Sequence, residues 1–379
     1  MAATDKRAEA RPLPPTTGAT ERSASPRRHA PAGTPASQVR ALPSLVRRRA
    51  LRSPGLRAAY AHERAAQPQA RRGDVALALG VTEGELIAAH AGLFQPALSS
   101  LSARHLLPQW RRIAAALPAL GVVRSITGNR WCRLENTSAA QELTRRCEQA
   151  AGDAPACTCL ADAAAAGAWA HGFAIEERGA DGRVERSLQF FDLYGQSVAE
   201  VVLLEGSRVE AFLDIVESFS SWQLAPGLVI PVKKPAAAPR RMAVAAFDSA
   251  VAGEGGTATR LPNASTHQVL AGAAHSGVPL TLRVESRGGR LSRSGALQDV
   301  RLDGPWLHAR GAGHGLRLRA DAIAQTWLLR RPTPNGTRHA LVLLDAAGEP
   351  IASISAETDA EGSERGEWRS LLSQLAAQA

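Results

Sequence analysis

Two stretches of this chain follow the same course. Leu188-Gln189-Phe190-Phe191-Asp192-Leu193-Tyr194-Gly195 is matched by Leu341-Val342-Leu343-Leu344-Asp345-Ala346-Ala347-Gly348. Each is an apolar run ended by an Asp-x-x-Gly turn, each follows a strand led by a tryptophan (Trp169 and Trp327), and each precedes a further strand and a closing helix. Elements that recur in one order are the mark of a duplicated unit. The chain is therefore expected to be α+β and internally duplicated, with two similar halves.

The periodicity supplies the elements. Thr82 with Glu85 three residues on forms a capping box in the helical stretch from Pro54 to Gly92, and Leu106 to Leu117 reads as a helix stopped by Pro118 and Gly121. Strands are expected at Val122–Thr127, Phe173–Ile175, Ser187–Asp192 and Ser197–Leu204. A helix at Val209–Phe219, with Val209, Phe212, Leu213, Val216 and Phe219 on one face, closes the first half. The second half opens with a helix at Ser265–Ser276, stopped by Gly277. Its strands are expected at Leu280–Val284, Trp306–Ala309, Gly315–Leu318, Thr326–Arg330, His339–Asp345 and Pro350–Ser355, and its last helix at Glu367–Ala377.

Charge divides the chain differently. The net charge is +10, yet residues 1–72 hold fifteen Arg or Lys against four Asp or Glu, and the rest holds thirty against thirty-one. The leading segment, poor in large apolar residues, reads as disordered. The expected organisation is a basic tail over 1–50, a first repeat over 51–230, a Pro/Ala/Gly-rich linker over 231–264 and a second repeat over 265–379. A nearly neutral folded part argues against specific nucleic-acid binding. No apolar run is long enough to insert in a membrane. Four cysteines confined to 132–159, with no leader pattern, fit a reducing cytoplasm. Cys157-Thr158-Cys159 has no companion pair at zinc spacing and reads as free thiols.

Several stretches, in order, carry a family resemblance. They are Leu79-Gly80-Val81-Thr82-Glu83, Pro108-Gln109-Trp110, His171-Gly172-Phe173-Ala174-Ile175-Glu176-Glu177 and Arg186-Ser187-Leu188-Gln189-Phe190-Phe191-Asp192, then Gly304-Pro305-Trp306-Leu307, Ile323-Ala324-Gln325-Thr326-Trp327 and Arg330-Arg331-Pro332-Thr333. Together they resemble the HemS/HmuS family of haemin-degrading and haem-trafficking proteins. The resemblance implies two similar halves, each a large antiparallel sheet flanked by helices, with haem as ligand, bound against the second half, and an inner-membrane haem importer or a haem-accepting enzyme as partner.

Haem requires an axial ligand, a flat apolar slot and cations for its propionates. The family's axial histidine motif has no counterpart here, since no histidine lies between Pro231 and Asn263. His267, the best available ligand by position, and His275 follow on the next helix; exposed or core-edge histidines are the plainer reading of both. His308, His314 and His339 are further options. Arg331 takes the family's lysine position, Arg287 and Arg330 match family arginines, and Ser355 stands where a tyrosine is expected. Neither a reductant supply nor an open iron face can be read from the sequence, so a carrier is favoured over a catalyst. The alternative is a paralogue without haem that acts through protein contacts.

Overall fold

A computed structural model describes residues 53–378, apart from 69, 93–99, 145–159, 161–163, 165–166, 180, 222–226, 229–254, 287–288 and 360. The basic tail, the linker's Pro-rich part, Arg287, and Cys147, Cys157 and Cys159 thus lie outside the described residues.

Three helices come first: α1 (Ser53–Ala66), α2 (Arg72–Ala78) and α3 (Glu83–Ala88). The capping box forms, with Thr82 accepting from the Glu85 backbone and Glu85 accepting from the Thr82 backbone N–H at 2.8 Å. Next come β1 (Leu101–His105), α4 (Trp110–Ala116), β2 (Val122–Gly128), β3 (Cys132–Ala139), α5 (Ala140–Thr144), β4 (His171–Arg178), β5 (Val184–Phe191), β6 (Ser197–Leu203) and α6 (Val209–Phe219). The second half holds β7 (Thr257–Leu261), α7 (Ser265–Ser276), β8 (Leu280–Ser286), β9 (Gly289–Gly295), β10 (Leu297–Asp303), β11 (Trp306–Gly311), β12 (His314–Arg319), β13 (Gln325–Thr333), β14 (Gly336–Leu344), β15 (Pro350–Ala356) and α8 (Gly366–Gln378).

The strand orders carry the duplication. One sheet runs β1-β4-β5-β6-β2-β3 and continues into β12-β11-β10, and the other runs β7-β13-β14-β15-β8-β9. The first six strands of the first sheet thus repeat, place for place, as the six of the second. The two Asp-x-x-Gly turns fall at the same position, β5 to β6 and β14 to β15. They share their bonding: Asp192 Oδ1 accepts from the Tyr194 and Gln196 backbone N–H groups at 2.9 Å, and Asp345 Oδ1 from Ala347 and Glu349 at 2.8 and 3.0 Å. Gly195 and Gly348 close the turns at φ 71° and 79°, a conformation that suits glycine.

Three expectations change. The strands at Trp306 and Gly315 do not belong to the second sheet: β12 pairs with β3 of the first half, Leu316 opposite Leu134, and β11 and β10 extend that sheet. Trp169 is not the counterpart of Trp327. His171 pairs with Phe191 and Gln325 with Leu344, so Trp327 matches Phe173. On α6, Ile215 is buried and Leu213 exposed, which rotates its apolar face slightly.

Each sheet has two faces. In the first half, Leu188, Phe190 and Val201 pack under α4, α5 and α6, while Phe173, Ile175 and Phe191 pack under α1–α3. In the second, Leu328, Leu341 and Leu343 join Val269 and Leu270 of α7 and Trp368 of α8. Leu134, Leu316 and Leu318 belong to that same core, so the strands shared between halves bury one face against the second half.

Candidate functional site

The second sheet's other face is apolar. Strand alternation turns Trp327, Leu329 and Arg331 to one side of β13 and Thr326, Leu328 and Arg330 to the other. Trp327, Leu329 and Leu344 form a small buried cluster of their own, with Ala258 and Val342 packed against it. Arg331 stands at the end of this floor, exposed, with Arg338 as its cross-strand neighbour.

The structure places the expected site residues apart. α7 lies over the opposite face, where the Thr266 and Thr326 hydroxyls are 3.4 Å apart, and His267 and His275 are on its exposed side. Arg330 shares that opposite face, beside its cross-strand neighbour His339. His339 Nδ1 meets Glu364 Oε2 at 2.7 Å. Of the expected residues, Arg331 alone is on the Trp327 side among the described ones; His267, His275 and Arg330 are not brought to it. Ser355 faces the same way, on β15 opposite Ala340.

The equivalent face of the first half holds a buried ion network that the sequence reading did not foresee. Glu177, which the register makes the counterpart of Arg331, accepts from Tyr60 Oη at 2.6 Å and meets Arg72 at 2.7 Å and Arg64 at 2.9 Å. Arg72 also binds Glu200, and Arg133 binds Glu83. Burial alone pushes the Glu177 carboxyl up; Arg72, the Tyr60 hydroxyl and Arg64 together outweigh it and hold the group below the ordinary carboxylate range. For Glu200 burial wins, helped by the nearby Glu83 charge, and its value is raised.

Beside this network opens a cavity of about 630 Å³, lined by α2, the β2–β3 loop and β6, and reaching Trp306 and Arg317 of the second half. Arg317 stacks on Trp306 with its guanidinium carbon 4.0 Å from the ring centroid, and pairs with Asp74 of α2 at 2.7 Å. Arg133, Arg317, His308 and Arg301 are successive cross-strand partners on β3, β12, β11 and β10, and so form one row on this face. Burial lowers the His308 value, and Arg317, Arg301, Arg310 and Arg71 lower it further, so the neutral imidazole is favoured. No group of three or more His, Cys, Asp or Glu residues suited to hold a metal occurs among the described residues. Among them also, no helix is long and apolar enough to cross a membrane.

This arrangement, two matched α+β units sharing strands, is a known one. The chain belongs to the haemin-degrading HemS/ChuX domain family, whose pattern it matches twice, over 80–219 and 241–375. It is 24% identical over 350 residues to the hemin transport protein HmuS of Yersinia pestis, covering 83% of this chain and 96% of that one. The crystal structure of holo-PhuS, a heme-binding protein from Pseudomonas aeruginosa, superposes with a TM-score of 0.68 at 26% identity, over 86% of this chain and 99% of that one. The heme degrading enzyme ChuS of Escherichia coli O157:H7 shares the fold at 20% identity, with a TM-score of 0.65 and the same coverage of each chain.

Proposed function

We propose that this chain binds haem in the cytoplasm and carries it for haem and iron utilisation, receiving it from or passing it to an inner-membrane importer or a haem-accepting enzyme. One observation supports the reading above others. Where the first half presents Glu177, Ser187, Gln189 and Glu200, the register gives the second half Arg331, Ala340, Val342 and Ser353. A polar, internally paired face has become an apolar floor with small side chains and a cation at its end. A porphyrin needs that combination: flat apolar surface for the ring and a guanidinium for a propionate. Family membership and the likeness to a heme-binding protein over both halves support the same reading.

Absorption titration of the purified protein with haemin tests it. A saturable Soret band is expected. Arg331→Ala should weaken binding about tenfold or more, because a charge-assisted hydrogen bond contributes roughly 1.5–3 kcal/mol. Absence of saturable binding in the unaltered protein would leave a non-haem interaction module as the better reading.

A further inference from the structure

An end strand of a sheet leaves one row of backbone N–H and C=O groups unpaired, open to another chain. Among the described residues the nine-stranded sheet ends at β1 and β10, and the six-stranded sheet at β7 and β9. Three of these ends discourage a second copy of the same chain. The outer side of β1 is already bonded: the Gly92 N–H donates to the Ala103 carbonyl at 3.1 Å, and the Ala103 N–H to the His90 carbonyl at 3.3 Å. The charged residues of β7 and β9 are arginines alone, Arg260 in one and Arg290 and Arg293 in the other, with no acidic group to meet them in a second copy.

β10 differs. Its sequence, Leu297-Gln298-Asp299-Val300-Arg301-Leu302-Asp303, has no proline. Residues 299–303 pair regularly with β11, the register shift lying between Leu297 and Asp299. On the other side of β10 no backbone hydrogen bond is made among the described residues. Alternation sets Asp299, Arg301 and Asp303 on one face, negative, positive, negative, and Val300 and Leu302 on the other. The three charged residues are exposed, and none has an ion-pair partner among the described residues. Leu302 is 57% exposed, although its cross-strand neighbour Leu307 is buried.

We propose that the β10 edge pairs, antiparallel, with the β10 edge of a second copy of this chain, about a two-fold axis at Val300. Such an axis, normal to the sheet, keeps each residue on its own face and makes the contact self-complementary. Asp299 of each copy then stands opposite Arg301 of the other, giving two opposite-charge pairs. On the other face the two Val300 side chains meet, and each Leu302 is the diagonal neighbour of the opposite Val300. An axis at Arg301 would set Arg301 on Arg301 and Asp299 on Asp303, like charges throughout. An axis at Leu302 would run the contact into the turn at Gly304, where φ is 54°, and leave Gln298 and Asp299 unused. One strand edge is a small contact, so the dimer belongs with the weak, concentration-dependent ones. Nothing in it depends on haem.

Sedimentation of the full chain over a wide range of concentrations tests this. A reversible monomer–dimer equilibrium is expected. Arg301→Asp sets aspartate against aspartate twice and should weaken the dimer about tenfold or more, because both favourable pairs become repulsive. Asp299→Arg should do the same. Asp299→Arg combined with Arg301→Asp restores both pairs with their signs exchanged, and should return the association to within about threefold of the unaltered chain. Thermal melts of the three variants should match that of the unaltered chain, which separates lost pairing from lost folding. A chain that stays monomeric up to its solubility limit overturns the proposal. So does a dimer that Arg301→Asp leaves intact, or one that the double variant fails to restore.

Discussion

Glu177 and Arg331 occupy the same place in two sheets of the same topology, yet one is buried in a web of ion pairs and the other is exposed at the end of an apolar floor. Around Glu177, the neighbouring strands add Ser187, Gln189 and Glu200; around Arg331, they add Ala340, Val342 and Ser353. In the first half, α1 and α2 bring Tyr60, Arg64 and Arg72 down onto the polar face, and the contact becomes part of the fold. The second half has kept the backbone and discarded that polar set. One copy of a duplicated sheet has been committed to structure, and its twin left with a surface suited to a ligand.

The comparison breaks most completely if the halves are separable. β3 loses its neighbour when the chain is divided between residues 231 and 254, and β10–β12 lose the sheet they extend. Leu316 and Leu318 would then be cut off from Leu134 in a shared core. The fragment 255–379 alone should show no cooperative thermal transition, and mixing with residues 51–230 should restore one. A sharp, monomeric melt of 255–379 by itself would show that the shared strands are dispensable.

The next largest effect is expected at Arg72. It is 7% exposed and sits between Glu177 and Glu200, so Arg72→Met strands two carboxylates without their cation. Breaking a buried pair in this way typically costs about 3–5 kcal/mol. Arg331→Met, at the equivalent sheet face, should change stability by less than about 0.5 kcal/mol, as exposed positions usually do. Urea unfolding of both variants measures the contrast; equal losses would remove the structural half of the argument.

Much of this was legible in the sequence, and what was not has a physical cause. α6 and α7 have the expected limits because local signals set them: an amphipathic face in one, Gly277 at φ 67° ending the other. The paired Asp-x-x-Gly turns were legible for the same reason. The membership of β11 and β12 was not, because Leu307, Ala309, Leu316 and Leu318 alternate identically whichever sheet receives them. Strand partners are chosen by the closure of the whole chain. The row of Arg133, Arg317, His308 and Arg301 is invisible in sequence for that reason, being assembled from both halves. Likewise the sequence assigns His267 and Arg331 to the same half, and only the helix's position over one sheet face reveals their separation.

Acid should expose the first half's commitment. Glu177 is held below the ordinary carboxylate range, as are Glu83 and Glu135, whose burial is outweighed chiefly by Arg133 and Arg71 respectively. A folded value below the unfolded one stabilises fully above the unfolded value, about 4.3, and is lost as pH falls through the folded value. Glu200, raised by burial, contributes with the opposite sign. Urea midpoints from pH 7 to pH 3 should therefore fall, and Glu177→Gln should flatten the acid limb while lowering the plateau. An acid limb of unchanged steepness would place the titrating groups elsewhere.

The smallest effect is expected at His267, and its smallness is informative. From its position after the linker it is the natural substitute for a missing axial ligand. The chain, however, uses α7 to cover the face that carries Leu328, Leu341 and Leu343, with Val269, Leu270 and Ala273 turned inward. His267 is on the helix's exposed side, so the thickness of a helix and a sheet stands between its imidazole and the Trp327 floor. Stacked layers of this kind are about 10 Å apart, whereas a metal–imidazole bond is about 2 Å long, as for zinc. No rotamer spans that gap, and moving the helix would open the largest core of the second half. His267→Ala should therefore leave the Soret maximum and haemin affinity unchanged, with stability within about 0.5 kcal/mol. A shifted Soret band in this variant would mean that haem binds on the helix side, and the assignment of Arg331 to its propionate would have to be given up.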